Sequence, residues 1–230
     1  MNFINGEILL INKPYGWTSF DVVNKIRWHI KRKLGLKKIK VGHAGTLDPL
    51  AEGLLILCTG KKTKEIEKIQ QESKWYSGKI LLGKTTPSFD LETEYSEEFE
   101  TQHILKEDME RVCKSFIGKQ NQIPPLFSAK KIDGKRAYLS ARKGQNIELN
   151  PQQIEIFDFK INTENFPEIE FKIHCTKGTY IRSIANDFGK KLNSGGTLIQ
   201  LKRDSSGSFH INKAYQIDEI LTLIDELEVG

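Results

Sequence analysis

The chain has 230 residues, enough to bury a substantial core but few for two ordinary domains. Its longest apolar runs (residues 8–11 and 54–58) fall far short of the roughly 20 residues of a membrane helix, and no early basic-then-apolar stretch reads as a secretion signal, so one cytoplasmic domain is expected. Three scattered cysteines (Cys58, Cys113, Cys175) and five unclustered histidines argue against a disulfide framework and give zinc no CxxC or HExxH home, so reduced core thiols and no metal are expected. The net charge of +5 is modest, yet the charges are segregated along the chain, as suits a polyanionic partner on one face or, equally, solvated surfaces.

Residues 8–11 form a short apolar run, read as a strand buried on both faces. A Pro14-Tyr15-Gly16 turn follows, and Ser19 suits the N-cap of a helix whose stripe is Val23, Ile26, Ile30 and Leu34, ended by Gly35. Between residues 22 and 43 lie eight Lys or Arg and no acid. Residues 54–58 and 78–83 read as further strands. From 90 to 110 the balance inverts, with nine acids and only Lys106 basic. Ile104, Leu105, Met109, Val112, Cys113 and Phe116 have helical spacing, closed by Gly118. Eight more basic residues lie between 112 and 147 against Asp133 alone, and residues 122–150, rich in Lys, Arg, Pro and Gly, read as an inserted RNA-facing segment.

Ile154 and Ile156 alternate, but Phe157, Phe159 and Ile161 continue on the opposite parity, which predicts a bulge or a strand crossing between environments. Ile169, Phe171, Ile173 and Cys175 alternate with polar residues as a strand with one wet face. Ile181, Ile184 or Ala185, Phe188 and Leu192 mark a helix after Gly178. The chain closes on an acidic tail with Asp218, Glu219, Asp225, Glu226 and Glu228. Strands and helices mix without a βαβ rhythm or a linker, so one α+β domain over residues 1–230 is expected.

The segment Gly42-His43-Ala44-Gly45-Thr46-Leu47-Asp48-Pro49-Leu50-Ala51-Glu52-Gly53 carries the most chemistry. Asp48 could cap a helix with Pro49 at its first position. However, Gly53 would break that helix after about one turn, and Glu52 lies one position beyond the capping-box site. The alternative is a carboxylate on a tight loop, where Gly42 and Gly45 let backbone approach a ligand closely.

This segment resembles the GxLDPxAxG signature of the bacterial TruB family, the tRNA pseudouridine-55 synthases. Four other blocks match in order. Leu10-Ile11-Asn12-Lys13-Pro14-Tyr15-Gly16-Trp17-Thr18-Ser19 resembles the family's opening motif, and Lys74-Trp75-Tyr76 stands where the family has its active-site tyrosine. Gln122-Ile123-Pro124-Pro125-Leu126-Phe127-Ser128-Ala129-Lys130-Lys131-Ile132-Asp133-Gly134, with Ala141-Arg142-Lys143-Gly144, resembles its RNA-gripping thumb. Cys175-Thr176-Lys177-Gly178-Thr179-Tyr180-Ile181-Arg182-Ser183 resembles the motif with its second aromatic residue and its arginine. Five blocks in register are highly specific, where one would not be.

The resemblance implies a pseudouridine synthase fold, with a mixed, mostly antiparallel sheet flanked by helices and a thumb near 122–150. It implies an enzyme that needs no cofactor and takes the T-arm of tRNA; a monomer is expected. Asp48 would attack C1′ of the ribose or C6 of the uracil, or remove the C2′ proton. Arg182 would supply compensating positive charge. Tyr76 would stack on the flipped uracil and assist late proton transfer, with Tyr180 packed nearby. Leu201 would wall the pocket, His43 would approach the RNA loop, Lys13 would support the pocket, and Lys130 and Lys131 would bind RNA. The pattern departs from the family at Phe127, usually a tyrosine, and in Gly83-Lys84-Thr85-Thr86-Pro87-Ser88-Phe89-Asp90, which keeps the final aspartate but changes residues before it. Many members carry a C-terminal PUA domain; here a catalytic domain alone is expected. Two rivals remain: a non-catalytic RNA-folding protein of the same fold, and a glycoside hydrolase using Asp48 and Glu52 across a helical turn.

Overall fold

The computed structural model describes residues 1–127, 131–132, 135–136 and 149–228. They fall into two units, Met1–Tyr76 with Leu201–Gly230 and Ser77–Gln200. In chain order the elements begin with β1 (Ile8–Lys13), α1 (Ser19–Lys33), β2 (Val41–His43), β3 (Ala51–Thr59) and α2 (Ile66–Gln70). Next come β4 (Lys74–Leu82), β5 (Lys84–Thr85), β6 (Glu97–Glu98), α3 (Lys106–Ser115), β7 (Gly118–Gln122), β8 (Lys131–Ile132) and β9 (Lys135–Arg136). The last are β10 (Gln152–Asn162), β11 (Glu168–Cys175), α4 (Ile181–Lys191), β12 (Gly196–Ser206), β13 (Phe209–His210) and α5 (Ile217–Asp225). Among the described residues no helix is long and apolar enough to cross a membrane.

In the first unit β3 is central. It pairs antiparallel with β1, from Ile8 opposite Cys58 to Lys13 opposite Gly53, and with β2. The end of β12 runs parallel to it, Leu201 opposite Ala51 and Arg203 opposite Gly53. Leu55 and Leu57 face a core built from Val22, Val23, Ile26 and Ile30 of α1 and Ile220, Leu221 and Ile224 of α5. Leu54, Ile56 and Cys58 face a second cluster with Ala44 and Ile69. Burial on both faces is why this stretch reads as a continuous apolar run rather than an alternation.

Two local expectations are corrected here. The N-cap of α1 is Thr18, not Ser19: the Asp21 amide donates to Thr18 Oγ1 (3.1 Å) and the Thr18 amide to Asp21 Oδ2 (2.9 Å), a full capping box. Ser19 is instead buried and serves another segment. The acidic tail is a helix, α5, whose Ile220, Leu221 and Ile224 enter the core while its charged face carries Asp225 to His29 (3.2 Å) and Arg32 (3.5 Å).

In the second unit β4, β11, β10 and β7 lie side by side, with β10 antiparallel to both β11 and β7. The phase change expected in β10 is present: the register slips between Ile156 and Asp158, leaving Phe157 bulged and exposed. Beyond it Phe159 turns inward, and its ring meets those of Phe116, Phe188 and Phe171 at 5.9, 6.0 and 6.4 Å between centroids. The sheet is mixed and mostly antiparallel with helices packed on it, as the α+β class requires. Most of the expected insertion at 122–150 lies outside the described residues, including Lys130; β8 and β9 pair as a small hairpin, Lys131 opposite Arg136.

Candidate active site

The loop bearing Asp48 leaves β2 at His43 and enters β3 at Ala51. The Ala51 amide donates to the Asp48 carbonyl (3.1 Å), so the chain makes one tight turn and becomes a strand. No helix follows for Asp48 to cap, and the helical turn that would place Glu52 beside it is absent. The loop is fixed along its length. Ser19 Oγ accepts from the Leu47 amide (2.8 Å) and donates to the Leu47 carbonyl (3.0 Å), and the Gly16 amide donates to the Pro49 carbonyl (2.9 Å). Gly53 has a φ of 101°, and a Cβ there would lie 2.5 Å from the Arg203 carbonyl oxygen, so only glycine lets β12 come this close.

Two buried cations hold the loop from beneath. Lys13, fully inaccessible, donates from Nζ to the carbonyls of Trp17 (2.5 Å), Pro14 (2.9 Å) and Pro49 (3.3 Å). Burial pushes its pKa down to about 8, against the opposing pull of Asp48 and then Glu52. Arg203, equally buried, donates from Nε to the Leu54 carbonyl (2.7 Å), from Nη2 to Gly45 (3.1 Å) and from Nη1 to Thr46 (3.4 Å). Carbonyl oxygens satisfy these donors without cancelling their charge, so Asp48 sits on a loop in the field of two cations.

His43, half-buried at the end of β2, is held below its ordinary pKa by burial and then by Arg203, opposed by a hydrogen bond at the Gly45 backbone; its ring is neutral at pH 7. Leu201 is buried and paired in register with Ala51, three residues after Asp48. Tyr76 is buried on β4, whose start is fastened by Lys74 Nζ on the carbonyls of Glu72 (2.5 Å) and Gln70 (3.0 Å). The Gly207 amide adds a bond to the Ser73 carbonyl (2.9 Å).

Tyr180 and Arg182 belong to the second unit. Tyr180 is the residue before α4, and its amide donates to Gln122 Oε1 (2.8 Å) while Gln122 Nε2 donates to the Tyr180 carbonyl (3.0 Å). Arg182, in the first turn of α4, is buried rather than a surface side chain. Its Nη1 donates to the Phe127 carbonyl (2.8 Å) and lies 3.5 Å from Oδ2 of the buried Asp90. Asp90 is itself fixed: its Oδ1 accepts from the Glu92 amide (3.0 Å), and its carbonyl accepts from Thr86 Oγ1 (2.6 Å) and Ser88 Oγ (3.1 Å). The loop that departs from the family pattern is therefore closely bonded, with Phe89 at a φ of 64°.

Lys130 and the side chain of Lys131 lie outside the described residues. Among the described residues, no three His, Cys, Asp or Glu side chains gather where they could hold a metal ion. The structure adds four residues that sequence reasoning did not single out for these roles: Arg203, Ser19, Asp90 and Gln122. Arg203 left one signal, since alternation along β12 puts a charged residue on the same inward face as Leu201.

The family model described as TruB family pseudouridylate synthase (N terminal domain) matches residues 31–181. This chain belongs to the TruB family. It is similar to the tRNA pseudouridine synthase B of Phocaeicola vulgatus, 51% identical over 229 residues that cover 100% of this chain and 97% of that protein. The protein of the same name from Chloroherpeton thalassium is 51% identical over 221 residues, 96% of this chain and 91% of that one. Among solved structures, a chain of a Cbf5-Nop10-Gar1 complex superposes with a TM-score of 0.71 at 24% identity, over 96% of this chain but 54% of the other. That likeness establishes the fold, and this TruB chain spans about half of the neighbour's length.

Proposed function

We propose that this protein is a tRNA pseudouridine synthase that isomerises uridine 55 of the T-loop, with Asp48 as the catalytic carboxylate and no metal or organic cofactor. The observation that carries the assignment of Asp48 is the loop itself, tied by Ser19 and resting on the carbonyl-bound cations Lys13 and Arg203. Such a loop spends no reorganisation energy in presenting a carboxylate, which is what electrostatic preorganisation requires. The reaction breaks the bond between C1′ and uracil N1, joins C1′ to C5, releases the C5 proton and leaves a proton on N1, so the product is an isomer of the substrate. Asp48 would start it at C1′, at C6 or at the C2′ proton, all of which need its ionised form.

The remaining roles follow the family resemblance. Tyr76 stacks on the flipped uracil, where an aromatic face replaces lost base stacking and a hydroxyl reaches polar atoms. Tyr180, Leu201 and Arg182 serve the same reaction. Neutral His43 meets the RNA loop, Lys13 supports the Asp48 loop, and Lys130 and Lys131 take phosphate. The enzyme acts as a monomer in the cytoplasm. Mapping modified uridines in tRNA after incubation with the protein tests the reading: a single pseudouridine at position 55 is expected. Product at another position, or tight binding with no turnover as the RNA-folding alternative requires, would overturn it.

A further inference from the structure

Apart from the Asp48 loop, the first unit carries a groove of about 460 Å³ lined by Ile4, Leu36, Lys38, Ile39, Lys40, Gly60, Lys61, Thr63 and Lys64. It lies at the opposite end of β3: the strand enters at Ala51, just after Asp48, and leaves at Thr59, about 26 Å away at roughly 3.3 Å per residue. Four of its lining residues are exposed lysines, and none is an acid. The nearby Glu65 is taken by Lys62 (2.7 Å), whereas Lys38, Lys40, Lys61 and Lys64 form no ion pair with a described residue.

The floor beneath these lysines is rigid. The Gly60 amide donates to the Lys40 carbonyl (2.9 Å), tying the segment before β2 to the turn after β3. Thr63 Oγ1 closes the turn on the Gly60 carbonyl (2.8 Å). Gly60 has a φ of 48°, and a Cβ there would come within 2.2 Å of the Ile4 carbonyl oxygen, so the N-terminal segment packs directly on the turn. Four like charges on a fixed frame repel one another, and a polyanion that spans them relieves the repulsion.

We propose that this groove is a second phosphate-binding site, which grips the tRNA backbone away from the T-loop while Asp48 works at the other end of β3. The inference rests on the reading of tRNA as substrate. Lysines that meet phosphates contribute affinity without reading bases. The groove therefore lowers KM and leaves the choice of uridine and kcat alone. The proposal places this grip on backbone outside the T-arm, so an isolated T-arm stem-loop gains nothing from it.

The test uses the full chain with Lys38, Lys40, Lys61 and Lys64 all changed to Gln, against intact tRNA and against an isolated T-arm stem-loop. For tRNA we expect KM and Kd to rise about tenfold at unchanged kcat, and the slope of log affinity against log salt to flatten by about 3, at roughly 0.7–0.9 per phosphate lost. For the stem-loop we expect no change, which also shows that the variant is folded. Unaltered KM and salt slope with tRNA would overturn the proposal, as would an equal loss on both substrates. If the unaltered protein modifies no tRNA, the substrate reading fails, and the binding comparison still decides the groove.

Discussion

The loop bearing Asp48 hangs its carbonyls on two buried cations, whereas the helix start bearing Arg182 hangs its guanidinium on a buried carboxylate and a carbonyl. In the first case a future anion is presented by a positively charged support; in the second a cation is presented by a negative one. Each support is opposite in sign to the group it presents and is itself shut off from water. The difference lies in the backbone. Arg203 and Lys13 fix a loop by its main chain. Asp90 fixes a side chain directly, on a helix already rigid.

Removing the support should hurt the first region most. Arg203→Met leaves the carbonyls of Gly45, Thr46 and Leu54 without the three guanidinium donors. At about 1–3 kcal/mol per buried group, partly relaxed, we expect a loss near 3 kcal/mol and a Tm lower by roughly 6–12 °C. Activity should fall with it, and a variant melting within 2 °C of the parent would show that Arg203 is not the anchor. Asp90→Asn should be milder, because shape and the bond from Glu92 survive while the charge facing Arg182 is lost. About 10- to 100-fold in kcat with KM within a few fold is expected from steady-state kinetics; an effect confined to KM would move Arg182 from chemistry to binding.

Lys13 gives the comparison a pH signature. Folded, it loses its proton near pH 8; unfolded, near 10.5. Below pH 8 both states are charged and the full cost of burying the ammonium is present, and between 8 and 10.5 the unfolded chain binds the extra proton, so stability rises with pH. Activity should move the other way, falling with an inflection near pH 8 as Asp48 loses a neighbouring cation. Burial pushes Cys58 up to about 11 and Cys113 to about 12, which lowers stability from about pH 9 upward and overlaps the Lys13 window, so the parent must be compared with Lys13→Met. Urea unfolding from pH 8 to 9 should favour the parent over the variant by about 1 kcal/mol. Equal slopes would show that Lys13 is not strained. The smallest effect should come from Ser19→Ala, which removes two bonds to Leu47 and should cost about 1–2 kcal/mol with a few-fold loss in kcat.

How much of this was legible in the sequence follows the range of the forces. Periodicity and parity act over a few residues, so the α1 stripe, the strand at 54–58 and the bulge at Phe157 could all be read locally. The N-cap falls at Thr18 and not at the expected Ser19, because both residues can cap and only the reciprocal bonds with Asp21 separate them. In the acidic tail the stripe Ile220, Leu221 and Ile224 spans little more than one helical turn, too short for period to stand out against the surrounding charge. Arg203 and Asp90 were beyond local reach: Arg203 meets Gly45 from 158 residues away, and Asp90 meets Arg182 across 92. The motif around Asp48 is held partly from the opening motif, by Lys13 and Ser19, and partly by Arg203, far along the chain.

The central claim is that Asp48, and not merely its loop, does the chemistry. Asp48→Asn keeps size and hydrogen-bonding capacity and removes the charge, and pseudouridine formation in tRNA can be followed by release of tritium from C5 of labelled uridine. The account predicts a loss of at least about a thousandfold in single-turnover rate with tRNA affinity within a few fold of the parent. Turnover near the parent rate at equal affinity would remove Asp48 from the mechanism.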